Sequence, residues 1–452
     1  MGKAPNNDVF YRDQNWSYPK IIRGEGIYLF DDKGRPFIDA CAGAAVANIG
    51  HGNKEVAAYA KEQMACLAYI HLSRWTAQPI EACAEKTAQW TPGSLNHVFF
   101  VSGGSEATEA ALKMARQYYV ERDGLNTRKH KVITKYHSFH GNTIGALSMT
   151  GMEGRRRLYG PLLLDFPHIN QFYHYRNPWN CKSLEDTSIK AAGELEAAIL
   201  KHGAENIAAF ISEPVVGAAA PGIHPEKIYF DMVRAICDKY DILLIIDEVM
   251  AGFGRTGKNF GSDHYGVQAD ILTVAKGMSS GYTPMGAAIA SDTVFNAIMI
   301  NGSGRLAHGH TYAGNPLSCG ISLKVLEIIE REGYVSNANM QGEYLLKRMQ
   351  NLLDIPIVGD VRGKGLLLGV ELVKDQKSKQ PFPAALKAAN RLTETALEQG
   401  IVLYPGGGTV NGTEGDHFLL SPPLSITREE IDLLYERMER ALQLCAQELV
   451  HQ

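Results

Sequence analysis

The stretch "ILLIIDEVMAGFGRTG" (Ile242–Gly257) runs five apolar residues into two acids and then a literal G-x-G-x-x-G. Two readings compete for it: a dinucleotide fingerprint in the glycines, or chemistry in the acids that precede them. The third glycine of a fingerprint packs inside a helix that starts in the loop. Here Gly257 is followed by "KNFGSDHYG", with two more glycines and no helical periodicity. In a chain with 45 glycines the pattern alone carries little. The acids are what remain. The apolar run shows no polar alternation and reads as a strand buried on both faces. Asp247 closes that strand, at the end where open α/β sheets hold their ligands.

Outward from this strand the same texture repeats. "HVFFV" (97–101), "KVITK" (131–135), "IAAFIS" (207–212), "ILTVA" (271–275) and "GAAIAS" (286–291) are short apolar runs separated by helical patterns. The expectation is an α/β fold, a mostly parallel sheet covered on both faces. "SEATEAALKMARQYYVERDG" after the first of these reads as a capped amphipathic helix. Beyond "YAGNPLSCG" two helical stretches, 316–333 and 338–353, precede "GLLLGVELV", "IVLYP", "FLLSPP" and a helix from about 427. These make a small α+β domain, completed by the N-terminal strands in "GIYLFDDKGRPFIDA". The expected division is 1–65 and 326–452 for the small domain and 66–325 for the large one.

Lys276 closes the next apolar strand, in "ILTVAKGMSSG", so adjacent strands deliver a carboxylate and an amine to one sheet edge. Pyridoxal 5'-phosphate requires that pair: a lysine for the Schiff base and an acid to keep the pyridine nitrogen protonated. An ordinary Asp–Lys ion pair would look the same. The phosphate adds a third requirement, and "VFFVSGGSEATEAALKMAR" supplies a Gly-rich turn into a helix N-terminus at Gly104 and Ser105. Free amides, the Ser105 hydroxyl and the helix dipole would hold a phosphate there. Ser105 also reads as an N-cap, with Glu106 and Glu109 favouring the first turn.

Taken together in order, "SGGSEATEAALKMAR", "HSFHGNT", "SEPVVG", "DEVMAGFGRTG", "AKGMSSG", "HTYAGNPLSCG", "DVRGKGLLLGVEL" and "LLSPPLSIT" resemble the class III (ω-amino-acid-type) aminotransferases of the type I pyridoxal-phosphate fold. The resemblance spans nearly the whole chain. It implies that Lys276 is Schiff-base residue and proton shuttle, with a lowered pKa. It places Asp247 at the pyridine nitrogen, Glu213 near the phenolic oxygen, Phe139 on the ring face with His140 in the following turn, and Val249 beneath the ring. It carries Thr311 to the phosphate of a neighbouring subunit, so that a homodimer or dimer of dimers shares the site. Phe139 as a core aromatic and Thr311 as a helix cap are the plainer readings. The implied reaction moves an amino group from an ω-amine or ω-amino acid to a small 2-oxo acid such as pyruvate, by ping-pong kinetics. Racemases, epimerases and decarboxylases share the fold and need the same lysine and aspartate; a non-enzymatic binding module would leave the full cofactor set unexplained.

One family feature is missing. Relatives acting on ornithine or 4-aminobutyrate carry an arginine in "RFAPPL" and a glutamate in "EPIQGE"; the aligned positions here are Leu419 and Ala218. Loss of both is coherent, because either charge alone in a partly buried pocket is costly. No arginine lies between Tyr404 and His417 to replace the grip. Arg74 is one candidate elsewhere. Ala45, where some amine transaminases have tryptophan, implies an open pocket, with Trp75 and Tyr312 as walls or as packing.

Composition excludes other classes. With 452 residues, 45% hydrophobic, a net charge of −4 and no run of like charges, neither nucleic acid nor a membrane surface is expected as partner. No apolar run is long enough to span a bilayer. The N-terminus lacks an apolar signal core, and its Met-Gly start has Asn6 where a myristoylation signal needs Ser or Thr. Seven scattered cysteines without C-x-x-C read as reduced thiols of a cytoplasmic protein, with no metal site.

Overall fold

Every apolar run read as a central strand is one in the computed structural model, which describes residues 4–450. Met1–Lys3, His451 and Gln452 lie outside the described residues, and with them the Met-Gly start and the outer ends of the expected first and last segments. A seven-stranded sheet runs in the order Leu95–Val101, Gly286–Ser291, Ile271–Ala275, Leu243–Asp247, Ile207–Ser212, Lys131–Lys135, His168–Ile169. Gly286–Ser291 is antiparallel to both neighbours; the other pairings are parallel. Four strands, from Ile207 to Ser291, are buried along their whole length, as continuous apolar sequence requires.

Strand alternation splits the core between the two faces. Leu243 and Ile245 pack with Ala110, Ala111 and Met114 of the helix Gly104–Asp123. Leu244 and Ile246 face the other way, onto Phe230 and Val233 of Lys227–Lys239. Both faces are therefore sealed, and the chemistry is left to the strand ends.

Two four-stranded sheets flank this body. Ile21–Glu25, Tyr28–Asp31 and Pro36–Asp39 join Ile401–Val402, while Val358–Lys364, Leu367–Leu372, Asp416–Leu420 and Tyr404–Gly407 form the second. Ile27 and Ile38 share a core with Leu345, Leu368, Phe418 and Leu434, so both ends of the chain build one unit.

The glycine stretch after Asp247 is a run of turns with no helix behind it; only a single turn, Gly261–His264, follows. Gly254 and Gly257 are left-handed, at φ 91° and 83°. Between them Arg255 is fully buried and donates to the carbonyls of Leu366 and Pro422 and to Asn48 Oδ1. The segment therefore clasps the flanking unit to the large sheet.

Candidate active site

Register brings three side chains to one edge. Asp247 pairs with Thr273, Ser212 with Ile246, and Ala275 with Gly286. Asp247, Glu213 and Lys276 therefore leave the C-terminal ends of three successive parallel strands. They line one cavity of about 140 Å³ with Gly104, Ser105, Phe139, His140 and Val249.

Asp247 is 3% exposed and held by two donors: His140 Nδ1 lies 2.7 Å from Oδ2, and the Val249 amide donates to Oδ1 at 3.0 Å. His140 Nε2 is buried without a partner among the described residues. Glu213 accepts from the amides of Phe139 at 3.1 Å and Gly217 at 2.9 Å. Burial pushes the Glu213 carboxyl up, Asp247 adds to the rise, and His140 opposes it. Burial draws the Lys276 amine down to about 8, against the raising pull of Asp247 and Glu213. Lys276 also sits at φ 48°, a left-handed conformation uncommon for a side-chain-bearing residue and found where function fixes the backbone.

At the other end of the cavity the helix Gly104–Asp123 begins. Its cap is Gly103, with no side-chain cap bond, so Ser105 is not the N-cap that the sequence allowed. Glu106 instead accepts from the Ser102 amide at 2.8 Å, and Ser105 Oγ accepts from the Asn142 amide at 3.1 Å. The Gly104, Ser105 and Glu106 amides donate to no described acceptor. A β-carbon on Gly104 would stand 2.9 Å from Val249 Cγ1. Uncapped amides and a hydroxyl beside a stripped turn form a donor set for an anion. The residues present thus fit pyridoxal phosphate at each end: donors for its phosphate, an acid held between two donors for its ring nitrogen, and an amine of lowered basicity between them.

The expected pocket residues separate into two groups. Ala45, Ala218 and Leu419 come together in one apolar cluster with Val215, Met250 and Leu367, and Phe139 and Tyr404 pack against it. Trp75 and Tyr312 do not join it; they are 70% and 64% exposed, Tyr312 lying edge-on to Tyr69. Thr311 is exposed too, its carbonyl accepting from the Tyr69 hydroxyl. Arg74 is a surface residue. Sequence reasoning missed Met250 and Asn142 of the cofactor cavity, and Arg155, whose guanidinium lies 4.8 Å from the Phe139 ring centre. No His, Cys, Asp and Glu grouping suited to a metal occurs among the described residues, and no described helix is long and apolar enough to cross a membrane.

Comparison with known proteins gives concordant results. The family described as "Aminotransferase class-III" matches residues 11–442. Putrescine–pyruvate aminotransferase of Pseudomonas aeruginosa is 35% identical over 96% of this chain and 92% of its own length. Diaminobutyrate–2-oxoglutarate transaminase of Halomonas elongata is 36% identical over 93% and 89%. The solved structure of an omega transaminase from Pseudomonas jessenii in complex with PMP superposes with a TM-score of 0.89, at 36% identity, over 96% of this chain and 94% of that one.

Proposed function

Since the chain belongs to the class III aminotransferase family and is a pyridoxal-phosphate-dependent transaminase, we propose that it moves an amino group from an ω-amine or ω-amino acid to a small 2-oxo acid, with pyruvate preferred, by a ping-pong sequence. When bound, the cofactor supplies an electron-poor ring that accepts the electrons of the substrate's broken C–H bond. The rest is the work of this chain's side chains. Lys276 would be the residue that bonds the cofactor, and its amine is placed to take up and return a proton in the same cavity. An amine of lowered basicity can take up and return that proton near neutral pH. Asp247, kept in place by His140 and the Val249 amide, holds the ring nitrogen's proton. Gly104 and Ser105 would hold the phosphate, Phe139 and Val249 would pack against the ring, and Glu213 would lie near the phenolic oxygen. Thr311, exposed on this chain, serves the site of a second copy in a homodimer.

The preference for pyruvate rests on the floor of the pocket. Ala218 and Leu419 are both buried in one apolar cluster, so the floor offers no charge to a substrate carboxylate, a loss that weighs more on the dianionic 2-oxoglutarate than on pyruvate. The two named relatives divide between pyruvate and 2-oxoglutarate, which leaves this observation to carry the reading. The experiment is a half-reaction screen. Amines lacking an α-carboxylate should bleach the visible absorbance of the enzyme, and pyruvate should restore it faster than 2-oxoglutarate does. Faster turnover of ornithine with 2-oxoglutarate than of any simple ω-amine with pyruvate would overturn the proposal.

A further inference from the structure

A transaminase that discharges its amino group to a 2-oxo acid has to orient an α-carboxylate, and the usual guanidinium position is Leu419 here. The structure offers another. Beside the cofactor cavity lies a second cavity of about 380 Å³, lined by His137, Met152, Arg155, Ala219, Gly408 and Thr413 among others. Arg155 is the only lining residue with a full charge at neutral pH, and no acid lines the cavity. Phe139 joins the two spaces: it lines the cofactor cavity, and its ring carries the Arg155 guanidinium at 4.8 Å.

Arg155 is also unengaged. Among the described residues it makes no ion pair and no side-chain hydrogen bond, whereas its neighbour Arg156 is spent on the carbonyls of Leu147, Ser148 and Thr150. With no other described partner, the planar fork of Arg155 N–H groups is free to take a carboxylate two bonds at a time. Its charge reaches Lys276, where it opposes protonation of the amine. Nearby, His137 Nε2 is a buried ring nitrogen without a partner, on the wall of the same cavity.

We propose that Arg155 is the carboxylate grip of this enzyme: its guanidinium binds the carboxylate of the incoming 2-oxo acid beside the Phe139 ring and turns the carbonyl carbon toward Lys276. This rests on the reading of the chain as a transaminase with 2-oxo acid acceptors. It also explains how the pocket floor can lose both charged residues without losing the acceptor.

The test uses holoenzyme loaded by a carboxylate-free amine and then discharged by pyruvate or by propanal, which lacks the carboxylate. Arg155→Leu should lower the second-order rate with pyruvate on the order of 50-fold, the loss expected for a charge-assisted bidentate contact. The ratio of the pyruvate rate to the propanal rate should fall by that factor whatever change the two carbonyls share, and Arg155→Lys should recover part of the ratio. An equal loss for both carbonyls, or no loss for either, overturns the assignment. Failure of the underlying reading has its own signature: wild-type enzyme that loads from the amine yet is discharged by no 2-oxo acid.

Discussion

His140 Nδ1 stands 2.7 Å from Asp247 Oδ2, across 107 residues of sequence, in a setting where both side chains are buried. An imidazole nitrogen and a backbone amide thus hold the carboxylate in one orientation and leave it facing the cavity that Lys276 also lines. A negative charge is what an acid at the pyridine nitrogen has to supply. Asp247→Asn preserves shape and removes the charge, and should slow the chemical step by ~3 kcal/mol in barrier, roughly a hundredfold. Single-turnover rates should show the loss while cofactor is still retained. Full activity in this variant would remove Asp247 from the chemistry.

Gly104 faces Val249 so closely that a β-carbon would lie 2.9 and 3.2 Å from its two γ-carbons. Val249 lines the same cavity and cannot move aside without changing its shape. Gly104→Ala should weaken cofactor affinity about tenfold, the lower end of the cost of overpacking. Titration of the cofactor-free variant, followed by absorbance, reads this directly; unchanged affinity would place the phosphate elsewhere.

Burial lowers Lys276 from 10.5 to about 8. Between those values the unfolded chain binds more protons than the folded one, so folding gains as pH rises through the window. Below it both states are protonated and the full penalty, about 3 kcal/mol, is present. In cofactor-free protein, Lys276→Met should therefore be more stable than wild type at pH 7, with the gap closing toward pH 10. Thermal melts across that range would contradict the assignment if the gap held constant or widened.

Leu419 and Ala218 are 1% and 6% exposed in one cluster. Leu419→Arg alone buries an unpaired cation and should cost about 3–5 kcal/mol. Adding Ala218→Glu should recover much of that and raise activity toward ornithine or 4-aminobutyrate. A double-mutant cycle with no coupling energy would show that the two positions do not act together.

Much of this was legible because burial on both sheet faces forces continuous apolar sequence, and Asp247 and Lys276 are the polar residues at which those runs stop. The Gly-rich turn was legible as the entry to a helix, although the cap is Gly103 and Ser105 instead accepts from the Asn142 amide. What stayed hidden is contact between distant segments. Nothing in "SFHGNT" announces that His140 meets Asp247, and the buried clasp made by Arg255 depends on carbonyls at Leu366 and Pro422. Nor does "EGRRR" announce that Arg156 knots a loop or that Arg155 faces a cavity. Trp75 and Tyr312, read as pocket walls or as packing, both lie on the surface of this chain, beside the exposed Thr311 in the case of Tyr312. The two-residue strand His168–Ile169 is too short to leave a periodic signal.

The central claim is that Lys276 is the residue bonded to the cofactor, opposite Asp247 at the sheet edge. Borohydride reduction of the yellow holoenzyme, followed by proteolysis and mass spectrometry, tests it most directly. The predicted result is a single pyridoxyl-labelled peptide spanning "ILTVAKGMSSG", with the label on Lys276. Label on Lys135 or any other lysine, with Lys276 unmodified, would contradict the account.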